Sequence, residues 1–308
     1  NSVLCAVYLG QQNNISIGSD LTVGGAGSPA GAVMQFNPAF IGSASVPTAD
    51  FSSSQNNGRI ANFTIGNANG GTYVPSSGAC DFSGGNVTMS VDSMLLGQGG
   101  TEGANAVGSL TLDDGSINAN NVTVGNQSAS SGGTGVGVIN LNSNSVIGAS
   151  ASLQVNNTLT LAAVTGTLTD GSAGAINING GSVTANAIVN GAGAGSITLA
   201  NGTLTLITTA GSSTSPISNL AATNSTLNLT LQAGVTNIMV AALNSGGITN
   251  IVNILSAPPT SSYPVEIPLI KYGGFNGTFN FGLGTLPPLY AGYLVNNTED
   301  KSVDLVLT

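Results

Sequence analysis

Apolar and small polar residues alternate through most of the chain, most regularly between residues 84 and 255. The segment GSLTLDDGSINANNVTVGN, residues 108–126, shows the pattern clearly. A period of two is typical of a β-strand that buries one face. We therefore predict short strands with these aliphatic side chains pointing inward: Leu110, Leu112, Ile117, Val122, Val124, Ile139, Leu141, Ile176, Ile178, Val183, Ile197, Leu199, Leu204 and Leu206.

The alternating pattern also repeats along the chain. Four segments open on a glycine, namely GSLTL at Gly108, GVINL at Gly137, GAINI at Gly174 and GSITL at Gly195. Each is followed by a turn and a second alternating run. Repeated strand–turn–strand units predict a β-solenoid, in which one coil buries its aliphatic side chains only by stacking on its neighbours.

An antiparallel fold is the alternative. The segment ITLANGTLTL, residues 197–206, places Asn-Gly between two alternating runs, which is typical of a β-hairpin. Asn-Gly pairs at residues 57–58, 69–70, 190–191 and 276–277 offer the same turn chemistry. An antiparallel sandwich or meander therefore stays open, and either fold is all-β with little helix.

Three features divide the chain into zones. All eleven prolines lie at or before residue 75 or from residue 216 onward, and no aromatic residue occurs between Phe82 and Tyr263. No Lys or Arg lies between residues 60 and 270. Proline is excluded from central strands, so the proline-free middle is predicted to form a continuous sheet. We predict an N-terminal strand and cap region at 1–83, a solenoid body at 84–255 and C-terminal cap strands at 256–308.

Charge and composition exclude several functions. The 308 residues include three Lys or Arg, twelve Asp or Glu and no His, for a net charge of −9. Nucleic acids and anionic membrane surfaces are poor partners for so few cations. The lack of His excludes Ser–His–Asp and Cys–His catalysis and His-containing zinc sites. No apolar run approaches the ~18 residues that span a membrane. We therefore expect a protein that is not an enzyme.

The two cysteines and the polar composition point to an extracellular setting. Cys5 and Cys80 are predicted to form one disulfide that closes a long N-terminal loop, the alternative being two buried free thiols. The chain begins with Asn1, so we expect that a signal peptide has been removed. Many Asn-x-Ser/Thr triplets leave glycosylation open without singling out a residue.

The DDG segment is the best candidate for chemistry. Asp113, Asp114, Asn118 and Asn120 offer the hard oxygens that Ca²⁺ prefers, although no EF-hand or calcium-binding nonapeptide is present. The competing interpretation is a solvated turn, since Asp and Gly favour turn conformations. Stacked Asn side chains are also expected to form internal hydrogen-bonded ladders that stabilise the fold. We predict no other cofactor.

The segments GSLTLDDGSINANNVTVG and GAININGGSVTANAIV resemble the autotransporter-associated β-strand repeat of bacterial secreted surface proteins. Residues 264–308 are similar to the C-terminal end of autotransporter passengers. The matching positions are Pro268, Leu269, Ile270, Tyr272, Gly274, Phe275, Gly277, Phe279, Leu305 and Val306. The resemblance implies a right-handed parallel β-helix exported to the cell surface, without particular catalytic residues. A translocator would follow such a passenger, so we expect either a cleaved product or a freely secreted protein.

These observations favour a structural function. We expect a secreted solenoid that self-associates through strand edges into an extracellular filament, sheath or surface layer. The apolar segment NSVLCAVYLG, residues 1–10, would add as a strand to a neighbouring subunit. An adhesin or glycan-binding passenger is the second hypothesis. A carbohydrate-active enzyme that uses Asp113 and Asp114 is the third.

Overall fold

A computed structural model describes residues 5–25, 31–43, 45–69, 74–100, 103–127, 133–144, 148–165, 171–260 and 262–308. The protein is all-β, with 67% of the described residues in strands. The described residues contain no α-helix, and Asn56–Gly58 form a single 3-10 turn. The expected fold class is therefore confirmed at the level of an all-β, solenoid-like chain.

The strands follow one another with short connections. The first eight are β1 (Cys5–Leu9), β2 (Gln12–Ile17), β3 (Asp20–Val23), β4 (Ala32–Phe36), β5 (Thr48–Ser53), β6 (Ile60–Asn67), β7 (Ser76–Asp81) and β8 (Asn86–Gly99). The next twelve are β9 (Ala106–Leu112), β10 (Gly115–Gln127), β11 (Gly135–Asn144), β12 (Ala149–Val164), β13 (Ser172–Asn179), β14 (Ser182–Asn190), β15 (Ala194–Ala200), β16 (Thr203–Leu206), β17 (Ile217–Thr223), β18 (Thr226–Thr230), β19 (Ile238–Gly246) and β20 (Asn250–Ser256). The last four are β21 (Val265–Gly277), β22 (Phe281–Leu283), β23 (Gly292–Asn297) and β24 (Ser302–Leu307).

Most strands pair in parallel with the strand one coil away. From β7 onward, odd-numbered strands up to β21 form one column and even-numbered strands from β8 to β22 form the other. Before β8 each coil has three strands, since β1 pairs with β4, β2 with β5 and β3 with β6. The long β8 then pairs with both β5 and β6, so the later coils have two strands. The described strands of the N-terminal region thus belong to the same ladder as the body.

The register confirms the repeat that the sequence predicts. Gly108 lies opposite Gly137, Gly137 opposite Gly174 and Gly174 opposite Gly195. The predicted inward aliphatic side chains are all buried. Each fully buried side chain of this kind contributes about 1.5–3 kcal/mol to folding.

The antiparallel alternative is wrong for the ladders of the body, although the ends of β11 and β12 pair antiparallel at Ser143–Ser150 and Asn144–Ala149. Strands β15 and β16, which flank Asn201-Gly202, do not form a hairpin: β15 pairs in parallel with β13 and β17, and β16 with β14 and β18. Asn201 has φ 53°. The left-handed conformation that Asn-Gly favours therefore forms a corner between two faces of a coil rather than a hairpin turn.

Glycine is required where successive turns of the backbone approach each other. A Cβ on Gly108 would lie 2.1 Å from the Ile65 carbonyl oxygen and 2.4 Å from the Gly97 nitrogen. Gly97 itself has φ +69°, and its own Cβ would lie 2.0 Å from the Val136 oxygen. The glycines that open the repeats at Gly108, Gly137 and Gly174 thus meet backbone atoms that leave no room for a side chain, whereas a Cβ on Gly195 would meet the side chain of Asn190.

The C-terminal end departs from the parallel pattern. Strand β24 lies antiparallel between β21 and β23, and its side chains Val303, Leu305 and Leu307 are fully buried. This three-stranded antiparallel sheet continues the odd-numbered column beyond its last parallel strand.

The predicted disulfide is not formed. Cys5 is an exposed free thiol and Cys80 a buried one. Cys5 lies opposite Ala32, which lies opposite Gly78, so Cys80 is two strands away and two residues further along. With strands ~4.8 Å apart and ~3.3 Å per residue, the two Cα atoms are separated by about 12 Å. A disulfide requires a Cα separation below about 7 Å.

Candidate functional site

The DDG segment is the turn between β9 and β10, and Asp113 caps a turn of the preceding coil. The Gly84 N–H donates to both carboxylate oxygens of Asp113, at 3.0 Å and 2.9 Å. The Asn144 amide lies 3.4 Å from Asp113 Oδ2. Burial of this carboxyl raises its pKa above the usual range, and the charges of Asp114 and Asp81 act in the same direction. Asp113 thus connects its own coil to the preceding one.

The structure places three of the four predicted calcium ligands in two separate networks. Asp113 is directed toward Gly84, whereas Asn118 and Asn120 lie along β10 and contact Arg59 and Asp92. Within the described residues, no three His, Cys, Asp or Glu side chains are grouped so as to hold a metal ion. The DDG segment therefore has the contacts of a turn, and calcium there stays a prediction.

Arg59 organises a polar network that sequence reasoning did not identify. Its Nε lies 2.8 Å from Asp92 Oδ1, and its Nη1 donates to Asn118 Oδ1 at 2.8 Å. Asn120 donates to the same Asp92 oxygen at 2.8 Å, and Asn56 donates to the other. The hydrogen bond from Asn56, reinforced by Arg59, lowers the pKa of Asp92. The sequence signal that could have indicated this pairing is that the chain has one arginine and few acidic residues in its body.

The polar ladders run along the outward faces of the strands and not in the interior as predicted. Asn177 donates to Asn140 at 2.9 Å, and Asn140 donates to Thr111 at 3.2 Å. On the other column, Asn253 donates to Asn228 at 2.9 Å and Asn228 to Thr205 at 3.0 Å. These side chains are half-buried and alternate with core aliphatics. They therefore tie coils together on the outside of the sheet while the aliphatic stack does so on the inside.

Two cavities open at the surface of the described residues. One, of about 420 Å³, is bounded by Ile41, Val46, Ser83, Asp113 and Asn144. The other, of about 540 Å³, is a groove between β22 and β23. Its floor and wall are lined by Phe281, Leu283, Leu286, Tyr293 and Leu294 together with small residues.

The groove is bordered by two unpaired strand edges. Among the described residues, β22 pairs only with β20, and β23 only with β24. The Gly284 N–H donates to the Val252 carbonyl at 2.8 Å, so it faces β20. Because successive peptide groups alternate in direction along a strand, the Leu283 N–H faces the groove.

The sequence matches no protein-family model, and neither a curated protein nor a solved structure matches the chain. Among the described residues there is no helix long and apolar enough to cross a membrane.

Proposed function

We propose that the protein is a secreted structural β-solenoid that assembles through strand edges into an extracellular filament, sheath or surface layer. The observation that carries the proposal is the groove between β22 and β23, where two strand edges lie side by side without partners among the described residues. Unpaired edges are templates for pairing with another chain. The long parallel ladder supplies the rigid body that a structural subunit needs.

The N-terminal strand is the matching donor. In β1 the side chains of Val7 and Tyr8 are 46% and 57% exposed, and β1 pairs only with β4 among the described residues. The first four residues of the predicted donor segment 1–10 lie outside the described residues. An uncharged, apolar strand suits a groove whose lining residues are uncharged.

Handedness and export are further parts of the proposal. We infer a right-handed parallel β-helix and export to the cell surface, on the resemblance of the repeats and of residues 264–308 to autotransporter passengers. A right-handed crossover is also the general preference for parallel strands. An experimental structure with left-handed coils would contradict this part.

Electron microscopy tests the assembly. We expect purified protein to form fibres or sheets as its concentration rises. Leu283→Pro removes the N–H that faces the groove and keeps the hydrogen bonds between β22 and β20. This variant should therefore form no fibres or sheets. Leu283→Ala keeps that N–H and is the matched control, which should still assemble. Wild-type protein that stays monomeric at high concentration, with its N-terminus intact, would contradict the proposal.

A second candidate, a glycan-binding adhesin, is favoured by the cavity beside Asp113. Asp113, Asn144 and Ser83 line it together with the apolar Ile41 and Val46. A few polar groups beside an apolar wall are typical of small-molecule sites. Binding on a glycan array that is lost in Asp113→Asn would support this function. Visible filaments with no glycan binding would dismiss it.

A further inference from the structure

The C-terminal antiparallel sheet covers only part of the last coil. Strand β24 pairs with β21 from Val265 to Lys271, and the Tyr272 N–H donates to the Lys301 carbonyl. Beyond that point, residues 273–277 of β21 pair with β19 alone among the described residues. Strand β22 likewise pairs only with β20 there. Two neighbouring strand edges are therefore open at this end of the ladder.

The first coil is open in the same way at the other end. Among the described residues, β1 pairs only with β4, β2 only with β5 and β3 only with β6. Val7 is 46% exposed, and Ile15 and Leu21 are only partly buried against the core. At the C-terminal end, Phe275 and Leu283 are also only partly buried. The aliphatic stack thus ends without a covering layer at both ends.

The register relates the two ends of one column residue by residue. This column consists of β1, β4, β7 and then the odd-numbered strands, and we call residues paired one strand after another a row. The row that begins at Ala6 ends at Gly274, and the row that begins at Val7 ends at Phe275. Strand β1 therefore corresponds to residues 273–277, the part of β21 that β24 leaves uncovered.

The second column gives the same correspondence. It consists of β2, β5 and then the even-numbered strands, and its row that begins at Asn14 ends at Gly282. Asn14 and Gly282 are separated by the same number of residues as Ala6 and Gly274. The corner between the two strands thus has the same length at both ends, and the first coil matches the last without an insertion.

We propose that the first coil of a second copy stacks on the last coil in this register, with β1 along residues 273–277 and β2 along β22. The inference rests on the proposed assembly through strand edges and names the surfaces that meet. Strand β2 would take the β22 edge in the groove, while β1 would lie on the neighbouring edge of β21. The donor of the groove is therefore the whole first coil.

Packing and charge both suit this contact. Val7 of the second copy would cover Phe275, and Ile15 would cover Leu283, so the aliphatic stack would continue from copy to copy. Residues 5–17 and 273–286 contain no charged side chain. The strands of each column run in one direction, so the new pairs are parallel like those of the body. A contact between two different surfaces that does not close into a ring repeats as a filament.

The third side of the coil sets a condition on this stacking. There β3 begins a column that passes through β6, the second halves of β8, β10, β12 and β14, and the first half of β21 to β24 and β23. Strand β23 thus stands where β3 of the second copy would lie. Each of these two strands pairs with one neighbour only among the described residues, and one of them must separate from it for the stack to close.

Cysteine cross-linking between two variants tests the register. Tyr8 lies in the row that ends at Asn276, and both side chains are exposed, so neither substitution disturbs the core. In a Cys5→Ser background, mixed Tyr8→Cys and Asn276→Cys should form a disulfide-linked dimer of the two variants under mild oxidation. Tyr8→Cys mixed with Gly274→Cys is the matched control. Its Cα atoms would be about 8 Å apart, so this mixture should lose the cross-link.

The outcomes separate this inference from the proposed function. Fibres or sheets in which Tyr8→Cys and Asn276→Cys do not link would overturn the register, although assembly through strand edges would stand. A disulfide between two Tyr8→Cys copies in assembled protein would also overturn it, because two N-terminal ends would then meet. Protein that stays monomeric in electron microscopy would contradict the proposed function and this inference with it.

Discussion

Replacing Gly108 by alanine tests the coil packing most directly. The new Cβ would lie 2.1 Å from the Ile65 oxygen and 2.4 Å from the Gly97 nitrogen, whereas ordinary contacts begin near 3.4 Å. Both neighbours are backbone atoms, so relief requires one coil to move by about 1 Å against its ladder. Overpacking of this kind costs typically 1–3 kcal/mol, and we expect about 3 kcal/mol here.

Chemical denaturation followed by circular dichroism measures this loss. The free energy of unfolding of Gly108→Ala should fall by about 3 kcal/mol, with a lower denaturant midpoint. Gly274→Ala is the matched control, because no atom lies within 4 Å of the position that its Cβ would take and its φ is not positive. That variant should be neutral, or more stable by about 0.4–1 kcal/mol through reduced freedom of the unfolded chain. If the two variants unfold alike, the proposed contact between coils is wrong.

Three further predictions follow from titrating groups and thiols. Asn56→Ala should raise the pKa of Asp92 toward its ordinary value, which NMR titration measures. Because folding lowers the pKa of Asp92, the stabilisation from this carboxylate is present above the unfolded pKa and is lost as pH falls. An unchanged pKa in the variant would contradict the assignment. Folding raises the pKa of Asp113, so the stabilisation from its protonated form is present below the unfolded pKa and is lost as pH rises. The Tm of Asp113→Asn minus the Tm of the wild type should therefore be larger at pH 7 than at pH 3. An equal Tm difference at both pH values would refute this prediction. Cys80 is buried and burial raises its pKa, so a thiol reagent should label Cys5 alone in the native protein and both cysteines after denaturation. If neither cysteine were labelled in denaturant, the two would have to be joined in a disulfide.

The strands and core were predictable because they depend on local alternation. A period of two assigns inward and outward positions without knowledge of the partner strand, so Leu110 and Leu112 were placed correctly. The repeat glycines also aligned as expected. Local pattern did not distinguish the corner at Asn201-Gly202 from a hairpin, since both use the same left-handed conformation.

Contacts between coils were not predictable from the sequence. The steps between repeats vary, so residues that become neighbours are separated by different lengths of chain. Arg59 reaches Asn118 across 59 residues, and nothing near either residue indicates that pairing. The disulfide prediction failed for the same reason, because it assumed a proximity of Cys5 and Cys80 that only the register could supply.

The ladder has a consequence for how such a chain can diversify. Thirty-seven residues separate Gly137 from Gly174 and twenty-one separate Gly174 from Gly195, yet all three glycines lie in one register. Extra residues therefore lie between the paired positions, and the register of the ladder is kept. In a solenoid, each coil depends mainly on its immediate neighbours. Segments between the paired strands are thus free to change length and composition in evolution, and new surface properties can arise on an unaltered ladder.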